Sequence, residues 1–142
     1  MILFQRGLVS IFDSVSVPGI SILRRWIWDG ESVIFAILEL TAVLGNRETI
    51  LELLRFTGER LGTKSGCLGS RVYEAHDEQK TILYMERWAS VEDLHRHIQS
   101  NLYRGVLNAM DLAEEPPKIS FHEVSDTRSL ELVVALRGSG AA

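Results

Sequence analysis

Residues 66–98 read GCLGSRVYEAHDEQKTILYMERWASVEDLHRHI, and this stretch decides the fold. Gly66-Cys67 is a small-residue turn. Leu68 to Ala75 alternates, with Arg71 and Tyr73 on one face and Ser70, Val72 and Glu74 on the other. His76-Asp77-Glu78-Gln79-Lys80 is a polar hairpin loop, and Thr81 to Trp88 pairs back as the next strand. There Ile82, Tyr84, Glu86 and Trp88 share one face, while Leu83, Met85 and Arg87 share the other. Ser90-x-x-Asp93 is a capping-box start. It opens a helix whose buried stripe is Val91, Leu94 and Ile98.

Upstream, Ser32 to Leu44 is rich in β-formers and nearly apolar on both faces, as in a strand covered on both sides. Gly45-Asn46 ends it, with Asn46 expected to cap the next helix and Glu48 in its first turn. Ile50, Leu53, Leu54, Thr57 and Leu61 fall at helical spacing, and Gly62 is the expected stop. Downstream, Leu102 to Met110 predicts a short helix with Tyr103, Val106, Leu107 and Met110 inward. Pro116-Pro117 breaks the chain before a strand at Lys118 to Val124, and Leu130 to Arg137 reads as a further strand. The order across residues 33–124 is β-α-β-β-α-β, an α+β ferredoxin-like antiparallel sheet. Helices cover one face of such a sheet. The other face carries large apolar side chains, so a two-fold homodimer with sheets facing each other is expected. Residues 1–32 are then an N-terminal extension, and 125–142 a C-terminal strand and tail that can cross to the partner subunit.

The chain has 142 residues and is 46% hydrophobic and 24% charged, which suits one folded domain. A net charge of −4 argues against a general phosphate-backbone binder, and Arg24-Arg25 beside Trp26 and Trp28 is too small a basic cluster for a nucleic-acid groove. With Cys67 alone there is no internal disulfide, which fits a reducing cytoplasm. Beside Gly66, a small buried residue is the simpler reading of Cys67 than a nucleophile. The apolar beginning (Leu3, Phe4, Leu8, Val9, Ile11, Phe12) is interrupted by Arg6 and followed by Asp13, unlike a signal peptide. No stretch reaches the roughly 20 apolar residues of a membrane span. Pro18-Gly19 and Asp29-Gly30 mark turns around a short strand at Ile20 to Trp28, whose side chains call for cover such as a partner subunit.

Gly45, Ser65-Gly66-Cys67-Leu68, Arg71-Val72-Tyr73, Glu86-Arg87-Trp88, Ser90, Leu94, His97 and Pro116-Pro117 form an ordered set across residues 33–124. In that order the chain resembles the antibiotic biosynthesis monooxygenase family of small dimeric α+β barrels. The resemblance implies a pocket between helices and sheet. For some members it implies oxygenation of quinols or polycyclic phenols by dioxygen without metal or flavin. The protein then has to bind an electron-rich phenolate, take a proton and exclude water. Haem-degrading relatives carry a Trp before the Glu-Arg pair and a His in the short helix. Met85 and Leu107 stand there instead, so no axial iron ligand is expected.

His97 matches a family histidine and is placed at the pocket edge, about 90° from the centre of its helix's stripe. It reads either as a proton acceptor for a phenol or as a half-buried residue bonding a backbone carbonyl. Trp88 offers an aromatic wall for a flat ligand or core packing. Glu86 is either a proton acceptor or one half of a structural pair with Arg71. Tyr103 and Tyr73 can donate to a developing oxyanion, and Asn101 and Asn108 are further donors. His97, Tyr103 and Glu86 are thus the candidate catalytic residues; Trp88, Tyr73, Tyr84, Arg71 and Asn108 are the candidate ligand contacts. His95 and His97 point roughly 200° apart on a helix and cannot chelate one ion, so no metal is expected. The Lys64-Ser65 pair lacks the phosphate-loop spacing, and no cofactor is expected. Two functions remain open. One is a cofactor-independent monooxygenase for a quinol or aromatic polyketide-type compound; the other is a non-catalytic dimeric module that binds a small molecule or a protein.

Overall fold

Residues 32–77 and 80–139 are described by the computed structural model. They form β1 (Val33–Leu40), α1 (Leu44–Leu61), β2 (Cys67–Glu74), β3 (Ile82–Trp88), α2 (Val91–Ile98), a 3-10 turn (Asn101–Tyr103), α3 (Arg104–Asp111), β4 (Lys118–Val124) and α4 (Leu130–Ser139). The strands make one antiparallel sheet in the order β2-β3-β1-β4. This is the expected α+β ferredoxin-like arrangement. The strand and turns expected between residues 18 and 30 lie outside the described residues.

Alternation along the strands sets which side becomes core. On β1, Ile34, Ala36, Leu38 and Leu40 are buried. Their β3 partners on that face, Trp88, Glu86, Tyr84 and Ile82, are buried with them. Helix α1 lays Ile50, Leu51, Leu54, Thr57 and Leu61 on this surface. Helix α3 crosses α1 where Gly105 meets Thr57, leaving no room there for a β-carbon. Burial of these side chains is the main stabilising term, about 1.5–3 kcal/mol for each large aliphatic.

Several local expectations change. Asn46 does not cap α1. The helix begins three residues earlier with Val43 as N-cap, and the Asn46 amide donates instead to the Leu112 carbonyl at 3.2 Å, closing the C-terminal end of α3. Glu48 consequently falls outside the first turn. Ser90 does cap α2: its Oγ accepts the Asp93 N–H at 3.1 Å and donates to Asp93 Oδ2 at 2.8 Å. Gly66, at φ +81°, lies against that Asp93 carboxylate, and any β-carbon would collide with it. Tyr103 ends a 3-10 turn rather than sitting within a helix, and Leu107 is 47% exposed, not inward.

The C-terminal expectation is overturned in type. Leu130–Ser139 is a helix, not a strand that reaches a partner sheet. A strand needs a neighbour for its backbone groups, whereas a helix satisfies them internally. Leu130, Glu131, Ala135, Leu136 and Arg137 are good helix formers and outweigh Val133 and Val134.

Candidate functional site

The site forms where β3 passes under α2 and the 3-10 turn. Because Glu86 and Trp88 are two apart on one strand, both point to the helix side. His97 comes down on them one turn after Leu94, in the centre of the face α2 buries, with Val91 and Ile98 only half-buried beside it. The imidazole is tolerated there because it has a partner. His97 Nε2 lies 3.0 Å from Glu86 Oε1, and both side chains are almost fully enclosed. Trp88 Nε1 donates to the other carboxyl oxygen, Glu86 Oε2, at 2.9 Å. The His97 ring stacks on Trp88 at 5.0 Å between centroids and meets Tyr103 edge-on at 5.2 Å. Four predicted residues thus form one packed cluster.

Two tyrosines extend it. Tyr84 shares the β3 face, and its hydroxyl is buried with no hydrogen-bond partner among the described residues. Burial, with the nearby Glu86 charge adding to it, pushes the Tyr84 phenol well above its ordinary range. Burial first, then the Glu86 charge, pushes Tyr103 up to about 12. Both phenols are therefore hydrogen-bond donors at neutral pH.

Tyr84, Glu86 and Tyr103 face a cleft whose remaining walls are Ala36, Leu38, Leu94, Val106, Ile119 and Phe121. It leaves about 10 Å³ for the centre of a water-sized sphere, roughly the room one water needs, and with its open mouth it spans about 250 Å³. His97 and Trp88 do not reach this wall; they stand behind Glu86. The β4 residues Ile119 and Phe121 and the β1 residues Ala36 and Leu38 were not singled out from the sequence. The alternation of both strands was the available signal, but only the pairing Ala36↔Phe121 and Leu38↔Ile119 brings them to one wall.

Three predicted contacts lie elsewhere. Arg71 pairs in register with Met85 and Tyr73 with Leu83, so both sit on the opposite face of the sheet from Glu86. The partners of Glu86 are His97 and Trp88, not Arg71. Asn108 is exposed on α3, and Asn101 is exposed on the 3-10 turn. Cys67 is half-buried, and burial, the largest influence, raises its thiol pKa, so it is not activated as a nucleophile.

The model of the antibiotic biosynthesis monooxygenase family matches residues 33–108, more than half the chain. The chain belongs to the antibiotic biosynthesis monooxygenase family. Solved structures agree in fold. Rv0793 from Mycobacterium tuberculosis superposes with a TM-score of 0.61 at 19% identity, over 68% of this chain and 99% of that one. A Deinococcus radiodurans protein, described as a candidate antibiotic biosynthesis monooxygenase, gives 0.61 at 18%, over 68% and 97%. A Bacteroides thetaiotaomicron protein of unknown function, described as a possible oxidoreductase, gives 0.59 at 19%, over 67% and 99%. No curated protein matches the chain. Outside the matched region lie the residues before β1 and those after 108, which include β4 and α4. No helix among its described residues is long and apolar enough to cross a membrane.

Proposed function

We propose that this family member is a cytoplasmic, homodimeric, cofactor-independent monooxygenase that acts on a quinol or an aromatic polyketide-type compound with dioxygen. The observation that carries the reading is the Glu86 carboxyl, held by His97 and Trp88 and turned to a cleft with two phenolic donors. Glu86 is the group placed to take a proton from a bound phenol or activated methylene. His97 positions it and shares the proton through the 3.0 Å contact. Tyr84 and Tyr103 donate to the oxyanion that proton loss creates. The resulting electron-rich anion reduces dioxygen. For an anthrone-type ring, one oxygen atom replaces two methylene hydrogens as a carbonyl, and the other leaves with them as water. The apolar walls keep bulk water from the anion.

The dimer reading rests on the other sheet face. Val33, Phe35, Ile37, Leu83 and Met85 stay only half-buried there, and Tyr73 is 46% exposed. A second copy laid on this face covers them.

Oxygen uptake with a panel of hydroquinones and anthrones tests the activity. Glu86→Gln is expected to lower kcat by about 100-fold or more, the usual worth of a positioned base. No oxygen uptake with any of them by the wild-type protein would overturn the reading. The narrowness of the cleft favours a second reading, a non-catalytic binding module. Pockets for drug-sized ligands run to about 300 Å³ and more, so a polycyclic guest needs the turn that carries Tyr103 to move outward. Tight binding of an aromatic compound without oxygen uptake would support that second reading.

A further inference from the structure

Helix α4 stands apart from the core in a way its composition does not suit. Leu130, Leu132, Val133, Val134 and Leu136 are between 44% and 71% exposed. At 100° per residue they cover an arc of about 200°, and only Glu131 and Arg137 are charged among residues 130–137. An apolar arc that wide is one that proteins bury. Ten residues are also too few for a helix to hold by itself in water. Something covers α4.

The topology says what is close enough to do so. Val33, the first residue of β1, is the paired partner of Val124, the last residue of β4. Antiparallel partners lie about 5 Å apart. The chain before residue 33 and the chain after residue 124 therefore leave the sheet at one corner, side by side. Only residues 125–129 separate that corner from α4, a reach of about 21 Å at most. The other segment leaving it is residues 1–31, rich in side chains that need burial, among them Leu3, Phe4, Ile11, Phe12, Trp26 and Trp28. The two segments are complementary: each is rich in apolar side chains, and both leave the sheet at the same corner.

We infer that α4 is the docking surface for this chain's own residues 1–31, and that together they build a second small core at the Val33–Val124 corner. This accounts for so wide an apolar arc, since a 31-residue segment is long enough to wrap more than one side of the helix.

Photo-crosslinking in the full chain tests this. A benzophenone amino acid replaces Leu132 in one variant and Val134 in another; two residues apart, they sample opposite sides of the helix. Equal amounts of ordinary and 15N-labelled chains are unfolded together in urea and refolded before irradiation, so that any dimers carry both isotopes, and the crosslinked peptides are read by mass spectrometry. The expected result is crosslinks from at least one position to residues 1–31, with both peptides of the same isotope. Crosslinks to residues 1–31 of mixed isotope would assign the contact to a second copy and overturn the proposal. Crosslinks confined to residues 32–129, or none from either position, would overturn it as well.

Discussion

Replacing His97 with leucine probes the packing of the site most sharply. The substitution strips a nearly enclosed carboxyl, Glu86, of its 3.0 Å partner and removes a ring stacked on Trp88 and edge-on to Tyr103. Removing one partner of a buried pair costs about 3–5 kcal/mol, because the other stays buried and uncompensated. Glu86→Leu leaves the Trp88 indole N–H and the His97 ring without acceptors, each costing about 1–3 kcal/mol. The double variant leaves only the Trp88 N–H orphaned, at about 1–3 kcal/mol. The double variant is thus expected to be no less stable than either single one, with a coupling of about 2 kcal/mol or more. Equilibrium urea unfolding followed by far-ultraviolet circular dichroism measures all four proteins. With a slope of about 1–3 kcal/mol per molar, the His97→Leu midpoint falls by at least about 1 M. Additive effects, to within about 0.5 kcal/mol, would refute the claim that the two side chains act as a unit.

Other outcomes follow from the same structure. Tyr103 has a folded pKa near 12 against an ordinary 10, so the folded state holds that proton more tightly than the unfolded chain does. Its contribution, about 3 kcal/mol, is present below pH 10 and lost between pH 10 and 12. Tyr103→Phe should flatten the alkaline fall in stability measured by urea unfolding across that range. Gly66→Ala should cost about 2 kcal/mol or more, since it forces a β-carbon into φ +81° and against Asp93; a thermal melt would show it. Ile37→Asp on the outer sheet face should convert a dimer to monomers in analytical sedimentation, with circular dichroism unchanged.

What the sequence made legible was whatever one element decides alone. The alternation of Tyr84, Glu86 and Trp88 put three site residues on one face, and the structure keeps them there. The Ser90 cap needed only its own first turn. What escaped depended on distant partners. Asn46 looked like a cap until the Leu112 carbonyl, 66 residues away, claimed its amide. His97 falls about 90° from the centre of the Val91–Leu94–Ile98 stripe on a helical wheel, which puts it at an edge; Glu86, on another element, is what lets it sit at the centre. Arg71 was offered as the partner of Glu86, but β-register turned it to the other face of the sheet. The cleft's β1 and β4 wall needed strand pairing that no local pattern carries. Leu130 to Arg137 had both β-branched residues and good helix formers, and the absence of a local breaker left the choice to context.

Nuclear magnetic resonance titration of the 15N-labelled protein with a hydroquinone under anaerobic conditions addresses the Glu86 cleft directly, whether or not turnover occurs. Backbone shift changes centred on Tyr84, Glu86, Tyr103 and Phe121 are the expected result. Changes confined to the outer face around Tyr73 and Met85, or no saturable change at all, would contradict it.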